Sequence, residues 1–185
     1  DEDTAKVAAN AALTGHLVLS TLHTNNAFGA IPRLLDLGAN PKTIGNALSL
    51  SIAQRLCRRL CPECKIARDT TESESRKINN IIGESIVANK PFLNKAEPKY
   101  NIYEANLDGC SECHAGYRGR VGIYETFYMT NELNNFISSN PSEYEIKEAT
   151  KGQGLPTLAE DAVMKILAGL TSIEEAENVV ELTTL

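Results

Sequence analysis

Hydrophobic spacing divides the chain into three stretches of different character. Near the start, Val7, Ala8, Ala11 and Ala12 recur at spacings of one, three and four, the stripe of a short buried helix that Asp3 caps and Gly15 stops. His16 to Thr21 is uncharged and rich in Leu, Val and Thr, which predicts a strand at Leu17–Leu22 covered on both faces, as in an α/β sheet. Asn25 or Asn26 then offers a cap for a helix carrying Ile31, Leu34, Leu35 and Leu37, closed by Gly38 with Pro41 behind it. Ile44, Leu48 and Ile52, four apart, predict further helix over 41–54.

From about residue 57 to 122 the pattern changes. Two cysteine pairs bracket a polar stretch with a helical signature at Ile78, Ile81, Ile82 and Ile86, which reads as an inserted module. Gly116, Gly119 and Gly122 punctuate a β-excursion over Val121–Tyr128, dense in β-branched and aromatic residues. Beyond it the chain turns helical. Ser142 with Glu145, Thr157 with Glu160 and Ser172 with Glu175 match the capping-box spacing, and apolar stripes follow at Leu158, Ala162, Val163, Ile166, Leu167 and Leu170 and at Ile173, Ala176, Val179 and Val180. These stripes predict a small C-terminal helical bundle.

The 42% apolar content of 185 residues fills a core without crosslinks, and no apolar run approaches the roughly 18 residues that cross a bilayer. Asp1, Glu2 and Asp3 are the opposite of a basic export signal, so the expected compartment is the cytosol. The net charge of −6 belongs to the tail, where residues 130–185 hold ten acidic and three basic side chains. Arg55, Arg58, Arg59, Lys65 and Arg68 face only Glu63, a local basic patch. That patch keeps a zinc-stabilised module binding nucleic acid or protein open as an alternative function, although the absence of Trp and 5% aromatics supply few base-stacking platforms.

Cys61-Pro-Glu-Cys64 and Cys110-Ser-Glu-Cys113 carry the strongest chemical signal. A two-residue gap lets a tight turn aim both sulfurs at one point, and two such knuckles supply the four thiolates of a closed structural zinc site. The 45 residues between the pairs exceed the usual separation but raise the cost of loop closure only slowly. Disulfides, a redox pair and inert buried thiols are the competing readings. Cys57 reads as a small core residue, and His114 as a bystander.

His16 and His23, seven residues apart, flank the expected strand and would point to opposite faces of it, a poor metal pair. The polar cluster Ser20 to Asn26 lies just beyond that strand, where open α/β sheets bind ligands, so Ser20, Thr21 and Thr24 are candidate contacts to a nucleotide phosphate. No G-x-x-x-x-G-K-S/T phosphate loop occurs in the chain.

Ala11-Ala-Leu-Thr-Gly-His-Leu-Val-Leu-Ser-Thr-Leu-His-Thr-Asn25 resembles the histidine box of the type II secretion and type IV pilus assembly ATPases, the GspE and PilB type of the secretion ATPase superfamily. Ala53-Gln-Arg-Leu-Cys-Arg-Arg-Leu-Cys-Pro-Glu-Cys64, Cys110 to Cys113 and Gly116-Tyr-Arg-Gly-Arg-Val-Gly-Ile-Tyr-Glu125 follow in the same order. The resemblance implies the carboxyl-terminal part of a RecA-like P-loop NTPase domain at 1–56, a zinc-binding subdomain with its β-segment at 57–128, and a C-terminal helical subdomain at 129–185. It further implies a homo-hexameric motor that hydrolyses ATP with Mg²⁺. Such a motor is cytoplasmic, associates peripherally with the bacterial inner membrane, and works on a membrane platform protein and a cytoplasmic adaptor. By position, His23 is similar to the residue that senses the γ-phosphate, His16 to its partner, and Asp1 to the last residue of the Walker B segment. The chain is then a carboxyl-terminal fragment without its phosphate loop, inactive alone. Cys61, Cys64, Cys110 and Cys113 align with the family's zinc ligands. Retraction-type motors usually lack these, which points to assembly or secretion. Arg118 and Arg120 match a turn of structural or interface role.

Overall fold

In the computed structural model, which describes residues 1–87 and 97–182, Asp1 rather than Asp3 caps the first helix. Its carboxylate accepts from the Thr4 amide at 2.8 Å, and α1 runs Glu2–Leu13. No residue of α1 is fully buried: Ala8, Ala11 and Ala12 are half-buried but Val7 is 70% exposed, so the expected buried stripe is only partly covered. Residues 16–24 carry no regular secondary structure, against the expected strand, and Leu17 and Leu19 are 90% and 88% exposed. A buried strand exists only by hydrogen bonding to neighbours, and among the described residues no strand pairs with this segment.

The next helix, α2, spans Ala30–Asp36, and Gly38 just beyond it has φ of +77°, the left-handed conformation that ends helices. Asn40 caps α3, Pro41–Ala47, through its side-chain oxygen. This helix stops well short of residue 54 because the chain switches to β1, Leu50–Leu60. Ile44 and Leu48 do share a core, but Ile52 is 58% exposed while Ser51 is buried, its hydroxyl donating to Ala27 O at 2.9 Å. The four-residue spacing therefore continued by coincidence into a strand of period two.

β2 (Ile66–Asp69), α4 (Glu72–Val87), β3 (Asn101–Glu104) and β4 (Tyr117–Tyr128) follow, then α5 (Asn131–Ile137), α6 (Glu143–Thr150), a single 3-10 turn at Lys151–Gln153, α7 (Leu158–Leu167) and α8 (Ile173–Glu177). β1 pairs with β4, and β2 pairs antiparallel with β3 in the register Ile66↔Glu104 to Asp69↔Asn101. The chain forms two compact units, Asp1–Ala53 with Thr126–Leu155, and Gln54–Glu125 with Pro156–Leu185. In the first, Phe28, Ile31, Ile44, Leu133, Ile137 and Ile146 pack around Phe127, whose ring stacks on Phe28 at 5.8 Å. Thr130 caps α5, and Ser142 with Glu145 forms the expected capping box of α6.

In the second unit α4 buries Ile78, Ile81 and Ile82 as its spacing predicts, while the Ile86 side chain lies outside the described residues. Thr157 and Glu160 form the second capping box. At α8 only half a box exists: Ser172 accepts from the Glu175 amide, but the Glu175 carboxylate turns to Arg58 instead. The antiparallel β2–β3 pair is tied to α4 by Arg68, which bonds Glu104 at 2.7 Å and both oxygens of Glu74 at 2.7 and 2.9 Å.

The Arg68 guanidinium holds the Glu74 carboxyl down at about 2, against an ordinary value of 4.5. A carboxylate depressed by folding stabilises the folded chain fully above the unfolded value, and that contribution fades as pH falls from about 4.5 towards 2. Glu74→Gln is therefore expected to lower Tm at pH 7, with the gap to wild type closing below pH 4.5 in thermal melts followed by circular dichroism. A gap independent of pH would contradict this assignment.

Candidate metal centre and the histidine segment

The first cysteine pair sits where β1 runs out. Cys61 follows Leu60 directly, its amide donates to Gly116 O at 2.9 Å, and the turn closes with the Lys65 amide on Cys61 O at 3.1 Å. The second pair precedes β4. Cys113 N donates to Cys110 O at 3.3 Å, and His114 and Tyr117 exchange backbone bonds of 3.1 and 3.0 Å around Ala115 and Gly116. Both central residues have positive φ, +47° and +78°, the requirement of a tight two-residue hairpin turn. At Gly116 the demand is steric as well: a Cβ there would lie 2.6 Å from Asn106 O and 2.7 Å from Asn106 N.

These turns bring together the four sulfurs that the motif predicts, with the ligand atoms of Cys61, Cys64, Cys110 and Cys113 all within 4.8 Å of one another. Sγ–Sγ distances are 3.8 Å for Cys61–Cys110, 3.6 Å for Cys64–Cys113 and 3.5 Å for Cys110–Cys113. A tetrahedron with metal–sulfur bonds of about 2.3 Å has edges of about 3.8 Å, so donor type and spacing both fit a four-coordinate soft or borderline cation. All five cysteines are free thiols, and the gaps far exceed the roughly 2.05 Å of a disulfide. Burial pushes the Cys64 thiol well up, and hydrogen bonds with the other three thiols add to the rise. Cys113 is also desolvated, but backbone hydrogen bonds at Cys110 and Gly116 and the thiols of Cys110 and Cys64 hold it down at about 7. A bound cation would favour the thiolate at every position. Cys57 is buried, as a small core residue should be, and its thiol reaches Val121 O at 3.7 Å.

The other candidate residues lie on the first unit. Asp1 is the α1 cap already described; His16 is exposed, with Nδ1 3.1 Å from Thr14 Oγ1; and His23 is exposed. Among the described residues the four cysteines are the only grouping of three or more His, Cys, Asp or Glu close enough to share an ion, so Asp1, His16 and His23 are not gathered in that way. Ser20 and Thr21 are exposed, whereas Thr24 is half-buried and donates to Asn26 O at 2.9 Å. Asn26 organises this end of the segment: its oxygen accepts from Gly29 N at 2.9 Å and its amide donates to Glu143 at 2.5 Å. Glu143 was not legible as a partner of the histidine segment, since 117 residues separate it from Asn26 and no local pattern joins them.

The basic run is largely engaged. Arg58 pairs with Glu175, Arg68 with Glu74 and Glu104, and the Lys65 ammonium donates to Gly169 O at 2.8 Å and lies 4.0 Å from the Tyr103 ring centroid. Arg118 pairs with Glu112 at 3.3 Å on the surface. Among the described residues no helix is long and apolar enough to cross a membrane.

Residues 1–178 match the model of the family described as Type II/IV secretion system protein. The chain is 40% identical to Type II secretion system protein E of Pseudomonas aeruginosa, across 95% of this chain and 32% of that protein. It is 38% identical to Type II secretion system ATPase E of Vibrio cholerae, across 97% of this chain and 32% of the relative. Type IV pilus assembly ATPase TfpB of Acinetobacter baylyi is 40% identical across 99% of this chain and 29% of its own length. The chain thus spans less than a third of the length of these curated relatives.

Gly116→Ala is expected to force the hairpin turn and Asn106 apart and to weaken cobalt(II) or zinc uptake at least tenfold in a chelator-competition titration. Affinity equal to wild type would show that the turn does not set the sulfur spacing.

Proposed function

The chain belongs to the Type II/IV secretion system protein family, and from that premise we propose that it serves in an ATP-hydrolysing motor that powers type IV pilus assembly or type II protein secretion. The observation that carries the reading is the family match across residues 1–178, together with relatives named as ATPases of those two machines. In the whole protein, residues 1–56 complete the carboxyl-terminal part of a RecA-like core, 57–128 form a zinc subdomain and 129–185 a C-terminal helical subdomain. The motor is a homo-hexamer on the cytoplasmic face of the inner membrane, engaging a platform protein and its adaptor.

Phosphoryl transfer needs positioned cations, a backbone that cradles phosphate and an oriented water. On this reading Asp1 closes the acidic Walker B segment, His23 meets the γ-phosphate, His16 supports it, and Ser20, Thr21 and Thr24 line the phosphate side. The phosphate loop and its lysine lie outside these 185 residues, since no such motif occurs in them. The exposure of Leu17 and Leu19 supports this picture, in which the segment becomes a strand once the rest of the sheet supplies its neighbours. Cys61, Cys64, Cys110 and Cys113 hold one zinc ion, and a closed four-thiolate set leaves no open position for chemistry, so its contribution is architectural. The nucleic-acid alternative is weakened, because three of the five bases in the patch, Arg58, Lys65 and Arg68, are paired with neighbours in their own unit.

Two measurements check the proposal. Steady-state ATP turnover of the full-length protein with Mg²⁺ should fall by about two to three orders of magnitude in kcat on His23→Ala, with a smaller change in KM. The 185-residue chain alone should show no turnover above background. Robust hydrolysis by the isolated chain, or an unaffected His23→Ala enzyme, would overturn it.

A further inference from the structure

Four residues near the cysteine pairs, Arg58, Leu60, Lys65 and Tyr117, do a second job: each reaches the connection between α7 and α8 or the start of α8. Ahead of Cys61, Leu60 N donates to Leu170 O at 2.9 Å and Arg58 O accepts from Thr171 Oγ1 at 2.9 Å. Arg58 N donates to Glu175 at 3.1 Å and its guanidinium pairs with the same carboxylate. After Cys64, the Lys65 ammonium is fixed on Gly169 O, where a φ of +65° and the Tyr103 ring, 2.6 Å from any Cβ, admit only glycine. Following Cys113, Tyr117 lies under the Arg58 guanidinium, 4.0 Å from carbon to ring centroid, and its hydroxyl is 3.4 Å from Ser172 Oγ, the cap of α8.

The turn so held is deeply buried. Thr171 and Ala176 are fully inaccessible and Glu175 is 5% exposed, so a displaced Arg58 would leave a buried carboxylate without its cation, among the costliest of local defects. Arg58 offsets the cost of burying Glu175: its hydrogen bond holds that carboxyl below the usual carboxylate range, against the upward push of burial. The end of β1 meets the start of β4 through the strand pairing, the Cys61–Gly116 backbone bond and the Arg58–Tyr117 contact, and an ion on the four sulfurs adds a further tie at this level.

We propose that metal occupancy of the cysteine cluster and docking of the Gly169–Ala176 turn are thermodynamically coupled, through Arg58, Lys65 and Tyr117, so that the cluster acts as the clasp of the C-terminal helices α7 and α8. The proposal rests on the metal reading given above. Coupling of this kind is reciprocal: loss of the ion loosens the turn, and damage to the turn weakens the ion by the same factor.

Hydrogen exchange on the full-length protein, zinc-loaded and then chelator-stripped, reads one direction. Amides of 169–176 should exchange at least tenfold faster without metal, while α5 and α6 in the other unit keep their rates. Zinc affinity by chelator competition reads the other: Glu175→Gln and Lys65→Ala should each weaken zinc about tenfold, and Arg76→Ala, in an exposed pair, should not. The wild-type exchange experiment stands even if a variant fails to fold. Zinc uptake with unchanged exchange at 169–176 overturns the coupling alone. A protein that takes up no zinc overturns both the coupling and the metal reading.

Discussion

The meeting of four sulfurs from two distant turns is the constraint on which the second unit depends. Cys64 and Cys110 are separated by 45 residues, yet the Sγ atoms of the two pairs approach within 3.6 to 3.8 Å across the gap. Two short backbone devices make this possible, the Cys61–Gly116 bond and the positive-φ turn at Ala115 and Gly116. Around that point a short antiparallel strand pair and one long helix close what hydrophobic burial alone holds only modestly, with Ile78, Ile81, Ile82 and Ile102 buried there.

Polar burial in this unit follows one rule: a carboxylate enters the interior only to meet backbone donors or a cation. Glu125 accepts from Leu158 N at 3.2 Å, Asp161 from Tyr124 N at 2.7 Å, and Glu160 from Thr157 N at 2.7 Å. Three of these bonds gather near the start of α7, where orphan amides and the helix dipole favour negative charge. Among the described residues no buried side-chain nitrogen or oxygen lacks a partner. The acidity of the tail is therefore partly structural and not simply a solvated coat.

The local signals were legible where a single residue type decides the outcome. Gly38 ended its helix, Pro41 opened the next, two of three capping boxes formed, and the cysteine spacing placed all four sulfurs at one point. Legibility failed where the answer depends on partners far along the chain. Ile52 continued a helical spacing but faces solvent on a strand, because pairing with β4 overrides local periodicity. Glu175 had the position to complete a capping box and was drawn to Arg58, 117 residues away. β2 and β3 are four residues each, too short for a period-two pattern to declare itself. Leu17–Leu22 has the composition of a buried strand, but composition does not supply the neighbouring strands it needs.

The two candidate regions, one on each unit, differ in the same way. The cysteine cluster is self-contained and its geometry is complete, whereas the histidine segment is anchored at Asn26 and leaves His16, Leu17, Leu19, Ser20, Thr21 and His23 exposed. X-ray absorption at the metal edge of the purified protein tests the convergence of the four sulfurs on one ion most directly. Four sulfur scatterers at about 2.3 Å around one zinc per chain are predicted. A shell containing nitrogen or oxygen donors, or a protein that purifies and reconstitutes without metal, would contradict it.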